Sequence, residues 1–283
     1  MDESNGVPVW DRPHFEPGGG DAEVTIFLFS QAPEGAPALP LRSHAHGVPE
    51  TGLPEGVDVR TVARAEAPDW VNGFFSESLM VLAKNHLGWE GAPPVEPTLV
   101  HVVRVTAEDP EDLAHLQSAW ALTRAFADTG AFAMLDAHAH KWLSTRDLAK
   151  RAPDAPFKYE DEVSVIFETE PAPEWGHIVH TRGMKKFGRP DLVVTAVPPK
   201  HGARIGAILN SLGARLAEGA VIEPGDTVKI EGVGVLKAEE LEPDANAPQL
   251  NLNNRGLVMR PLDRREAEAS GSDSKTNGDD SET

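Results

Sequence analysis

The spacing of apolar residues changes repeatedly along the chain, and each change predicts an element. "EVTIFLF" (23–29) is β-branched or aromatic at most positions and predicts a strand, followed by a proline-rich loop to about Pro54. "VDVRTVARAE" (57–66) predicts a second strand. From Asp69 onward Val71, Phe75, Leu79, Leu82 and His86 recur every three or four residues until Gly88, the spacing of an amphipathic helix. "TLVHVVRVT" (98–106) is almost continuously β-branched and predicts a central strand buried on both faces. The helix after it is expected to take Asp109 as its cap and Pro110 in its first turn. It buries Leu113, Leu116, Trp120 and Phe126 and stops at Gly130.

"AFAMLDAHA" (131–139) returns to a strand pattern and "STRDLAKR" to a short capped helix. "VSVIFETE", "HIVHT" and "DLVVTAV" read as strands separated by turns, and Ile205, Ile208, Leu209, Leu212 and Leu216 mark a helix ending at Gly219. "PGDTVKI" and "RGLVMRPL" supply late strands. Consecutive strands without an intervening helix predict an α+β fold: a mixed, mainly antiparallel sheet with helices packed on one face. The order is also compatible with two similar halves, 22–155 and 156–262. Residues 1–21, with "EPGGGD", read as a flexible lead to the 22–262 domain. Residues 263–283 hold no apolar side chain larger than alanine, cannot offset the entropy of ordering, and are expected to form a disordered acidic tail.

Composition narrows the partners. The net charge of −19 over 283 residues disfavours nucleic acid and anionic membranes, which require a cationic face. With no cysteine there is no disulfide, thiolate metal site or cysteine nucleophile. The acidic, polar first residues lack the form of a signal peptide, so a cytoplasmic location is expected. No dinucleotide or phosphate-loop fingerprint is present, and no cofactor is expected.

Two stretches carry candidate chemistry. In "FAMLDAHAHKWLS", Asp136, His138 and His140 alternate with other residues, so on a strand they would share one face and offer a partial metal site for a metal-dependent hydrolase. No second ligand spacing completes the set, and the favoured reading is a hydrogen-bonded or solvated strand face. His44 and His46, in the proline-rich loop, pose the same question more weakly. The second stretch is "HIVHTRGMKKFGRPDLVV" (177–194), which reads as a strand, a single helical turn plugging the core with Met184 and Phe187, and a new strand entered through Pro190, with Gly183 and Gly188 reversing the chain. Between His180 and Arg204 six cations, Arg182, Lys185, Lys186, Arg189, Lys200 and Arg204, stand against one acid, Asp191. They form a candidate basic surface for a small anion or an acidic partner.

The block "HTRGMKKFGRPDL", followed by "IGAILNSLGARLAEG" and "EPGDTV", resembles an uncharacterised bacterial family, domain of unknown function 4261, over about residues 23–235. The resemblance implies a bacterial α+β domain and transfers no catalytic residue. The expected function is therefore a non-enzymatic binding or interaction domain, immunity-like or regulatory. Its expected partner is another protein with a basic surface, toward which so acidic a chain would be steered.

Overall fold

The computed structural model describes residues 8–31, 53–152, 155–231, 234–242, 244, 247–262 and 266. The chain is α+β, with its strands in two sheets that belong to two compact units. The first unit lies within residues 1–164, 182–189 and 210–221, the second within 165–181, 190–209 and 222–283.

The sheet of the first unit contains β1 (Ala22–Ser30), β2 (Val57–Ala63), β3 (Leu99–Ala107), β4 (Ala131–Asp136) and β5 (Lys141–Ser144) in the order β2-β3-β1-β4-β5. Every neighbouring pair is antiparallel. Alternation sorts the central strand: Ile26 lies beside Val103 and Asp136, while Phe29 lies beside Val100 and Ala133 on the opposite face. The unit's helices are α1 (Pro68–Gly73), α2 (Glu77–Leu87), α3 (Ala114–Asp128) and the short α4 (Tyr159–Glu162). α3 covers the Ile26 face, where its Phe126 stacks on His101 at 4.4 Å. α1 and α2 cover the other face, where Val71, Met80 and Ala83 pack with Phe29, Leu135 and Trp142. Helices therefore flank this sheet on both sides and not on the one face expected, because the central strand carries buried apolar side chains, Ile26 and Phe29, on both of its faces.

The single helix expected from Asp69 to Gly88 is two helices broken at Phe74–Ser76. The break lets the adjacent Phe74 and Phe75 both reach Phe29, each with ring centres 5.4 Å away. Neighbours on one continuous helix point in different directions and could not both do so. Asp109 does not cap α3, which begins at Ala114. Its φ is 28°, and its carboxylate instead accepts the Gly18 and Gly19 N–H groups and pairs with Arg189.

Residues 8–21 are held in place, contrary to the flexible lead expected for 1–21. Trp10 is only 8% exposed and donates its indole N–H to the Ala155 carbonyl at 2.8 Å. Buried Arg12 donates to the Pro110, Phe187, Leu216 and Ala217 carbonyls. Burial, followed by the nearby Arg189 charge, lowers its pKa to about 10. "EPGGGD" hid this because Trp10 and Arg12 are isolated anchors with no period. Residues 1–7 and, apart from Glu266, the tail 263–283 lie outside the described residues, as do His44 and His46.

The second unit's sheet combines β6 (Ser164–Ala172), β7 (Gly176–Arg182), β8 (Asp191–Val194), β9 (Thr227–Ile230), β10 (Gly234–Glu240) and β11 (Gly256–Pro261) in the order β6-β7-β8-β11-β10-β9. β8 and β11 run parallel, whereas β7–β8, β11–β10 and β10–β9 are antiparallel. Ile178 and Val193 pack there with Ala172, Ala247 and Leu250. Asp191 accepts from Thr181 Oγ1 and Asn254 Nδ2, both at 2.9 Å. Helix α5 (Gly202–Ala217) gives its residues to Leu209 to this unit and the rest to the first.

Candidate functional site

The predicted core-plugging turn exists as a 3-10 helix, Met184–Phe187, in the first unit. Met184 and Phe187 are fully buried, and Gly183 and Gly188 have φ of 119° and 62°. A Cβ on Gly183 would stand 2.8 Å from the Glu162 carbonyl oxygen, so glycine answers both the backbone angle and the lack of space. Tyr159 Oη contacts Met184 Sδ at 3.7 Å, and His115 Nε2 lies 2.8 Å from the Lys186 carbonyl, to which it donates. Burial lowers the His115 pKa, so the ring stays neutral.

This turn drives Lys186 into the interior, where it is 0% exposed. Its Nζ lies 2.6 Å from Asp136 Oδ2 at the end of β4 and 2.7 Å from Glu162 Oε2 at the end of α4. Glu162 Oε1 pairs with Arg151 Nε at 3.1 Å, and Glu162 Oε2 also accepts the Trp120 indole N–H at 3.2 Å. The Arg151 guanidinium lies over the Trp120 ring, 4.8 Å from its centre, and donates to the Asp147 and Asp161 carbonyls. Asp136 Oδ1 accepts the N–H groups of His138 and Ala139, each at 3.0 Å. Two cations and two carboxylates thus balance with almost no side-chain surface open to solvent. Burial opposes charge on Lys186, but Asp136 and Glu162 outweigh it and hold the ammonium pKa above its ordinary value. Burial likewise opposes charge on Asp136, and Lys186 with the turn N–H groups keeps its pKa low.

This geometry corrects two readings of the sequence. Arg182, Lys186 and Arg189 are buried and do not form a basic surface. Arg189 donates to the Gly219, Ala220 and Glu16 carbonyls besides pairing with Asp109 at 3.1 Å. Of the six cations, Lys200 and Arg204 are exposed and Lys185 is half-buried. The strand expected to carry Asp136, His138 and His140 on one face ends at Asp136. His138 and His140 sit in the following turn, with His140 at a φ of 50°. Asp136 is committed to Lys186. His138 Nε2 is 3.6 Å from Glu23 Oε1, longer than a hydrogen bond, and this contact, with Arg104 and Thr25, holds the Glu23 carboxyl well below its usual range. Among the described residues no group of three or more His, Asp or Glu side chains is placed to hold a metal ion.

Glu162, Arg151 and Trp120 were not legible as site residues. They come from separate elements, and no spacing links them to Lys186. The one local sign was a lysine enclosed by Met184 and Phe187 in a turn bounded by glycines.

A second polar chain joins three strands. His101 Nε2 is 2.9 Å from Ser30 Oγ, and its Nδ1 is 2.9 Å from Thr61 Oγ1. Burial lowers the His101 pKa to about 4, so the ring is neutral near pH 7. Thr61 supplies a hydroxyl where a nucleophile's base would need a carboxylate to stabilise its charged form, so the chain acts as a clasp between β1, β2 and β3.

In class, then, the chain is an α+β protein with a buried, internally neutralised charge cluster. Among the described residues no helix is long and apolar enough to cross a membrane. No protein-family model, curated protein or solved structure matches the chain.

Proposed function

We propose that the protein is a non-enzymatic binding domain of the bacterial cytoplasm, immunity-like or regulatory, that engages another protein with a basic surface. The observation that carries this reading is Trp70 on α1, which is 41% exposed and fixed edge-on against Phe27 and Phe74. An aromatic already held by its neighbours loses little freedom on binding and makes a good interface anchor. α1 opens at Pro68, which lines a groove of about 620 Å³ together with Ala63, Ala65, Pro97 and Leu99. Arg64 and Glu96, also lining the groove, pair at 3.1 Å. The charge of −19 favours a basic partner and speeds encounter with it.

Membership of domain of unknown function 4261 belongs to the same proposal and rests on the 180–192 block. A small-anion module retains only Lys185, Lys200 and Arg204 of its six candidate cations, and a metal hydrolase loses Asp136 to Lys186. Affinity capture from the native host, with partner identification, tests the reading. The expected partner is basic, its recovery falls as salt rises, and Trp70→Ala weakens binding by more than about tenfold while the loss of its Phe27 and Phe74 contacts lowers the melting temperature only slightly and leaves the chain folded. Unchanged binding by Trp70→Ala overturns the assigned surface, and an acidic or salt-indifferent partner overturns the electrostatic reading.

A further inference from the structure

The Lys186 cluster has the parts of a condensation site as well as those of an ion pair. The amine nitrogen lies 2.6 Å from one carboxyl oxygen of Asp136, the other Asp136 oxygen faces two backbone N–H groups, and a second carboxylate lies 2.7 Å from the same nitrogen. We propose that Lys186 and Asp136 condense to an intramolecular amide, with Glu162 carrying the proton.

The resting form is the ammonium with two carboxylates. The charges that hold the pair ionised make the neutral pair a minor species, reached when one proton passes from Nζ to Asp136 Oδ2 along their contact to give a neutral amine beside a neutral acid, with Glu162 still charged. The nitrogen lone pair attacks Asp136 Cγ, and negative charge develops on Oδ1, where the His138 and Ala139 N–H groups already point. Glu162 Oε2 accepts the proton released from nitrogen and delivers it to the departing Oδ2 hydroxyl, which leaves as water. One C–N bond forms, one C–O bond breaks, and no oxidant or reductant takes part.

Two features of the cluster favour the product. Fixed contact between reacting groups replaces a bimolecular encounter. Condensation also removes a positive and a negative charge together from a site where each carries a desolvation cost. Glu162 and Arg151 remain as a balanced pair at 3.1 Å, and the new amide N–H can donate to Glu162. The bond spans 50 positions in sequence and would tie the end of β4 to the Gly183–Gly188 turn, restricting the unfolded chain as other cross-links do.

The deciding measurement uses the native full-length chain, folded and incubated near neutral pH. Its intact mass is expected to be lower than the sequence mass by one water, and proteolysis is expected to release a branched peptide joining positions 136 and 186. Lys186→Met should keep its full mass, and Asp136→Asn should release ammonia in place of water. A native chain that retains its full sequence mass overturns the proposal whether or not the variants fold. A lost water mapping anywhere other than the 136–186 link also overturns it.

Discussion

A buried charge cluster in the first unit and an exposed set in the second pair charges at nearly equal distances and with opposite physical consequences. In the first, Lys186, Asp136, Glu162 and Arg151 meet at 2.6 to 3.1 Å with almost no exposed side-chain surface. In the second, Arg255 meets Glu223 and Glu240 at 3.0 Å, and Arg260 meets Glu239 and Glu266 at 3.0 and 3.2 Å, all with roughly two-fifths or more of each side chain in solvent. Water and salt screen the exposed set, so each pair contributes little. The buried set must compensate its own desolvation, and removing any member leaves a charge with nowhere to go. Distance alone therefore says little about what an ion pair contributes.

The strongest way to break the comparison is Lys186→Met, which removes both the ion pair and the proposed 136–186 amide and leaves Asp136 and Glu162 buried with Arg151 as their paired cation. It should destabilise the first unit by about 3 to 5 kcal/mol. Denaturant unfolding followed by tryptophan fluorescence measures this, because Trp10, Trp70, Trp89, Trp120 and Trp142 lie in that unit and only Trp175 in the other. A shift below about 1 kcal/mol would place the buried cluster with the exposed ones.

Acid should also act more strongly on the first unit. Burial lowers the His101 pKa from 6.5 to about 4, so between these values the unfolded chain binds a proton that the folded chain refuses. Stability is expected to fall as pH drops through that window, by roughly 3 kcal/mol, and this contribution to level off below it. In His101→Gln that part of the slope should vanish. If wild type and variant show the same pH dependence, His101 is not its source.

The smallest effect belongs to Arg255→Ala. Glu240 and Glu223 raise the Arg255 pKa, yet a side chain this exposed should contribute less than about 1 kcal/mol. Any difference between wild type and variant should shrink at high salt. A larger, salt-independent loss would show that the second unit also depends on a dry charge network.

Much of this contrast was hidden in the linear pattern. The β1 run, the β3 run and the glycine-bounded turn at 183–188 were legible because each is coded within a few residues: period-two or continuous β-branching, and glycine where φ turns positive. β5 and β10 escaped notice, the first because it spans four residues and the second because "GVLKAEE" carries three charges in seven residues. The "basic segment" was misleading for a related reason. Counting charges along a chain assumes that neighbours in sequence share an environment, and Lys185 and Lys186, side by side, do not.

What the sequence determined by itself was the α+β class, the apolar faces of its elements and the identity of the turn that plugs the first core. Those properties depend on backbone propensity and on the direction in which successive side chains point, both local quantities. Tertiary structure alone decided that Asp136 would meet Lys186 instead of facing His138 and His140 along a strand, and that Trp10 and Arg12 would be anchors. Such outcomes depend on which distant groups arrive in the same water-free space, where an ionised side chain persists only beside a partner of opposite charge, and no spacing along the chain records that meeting.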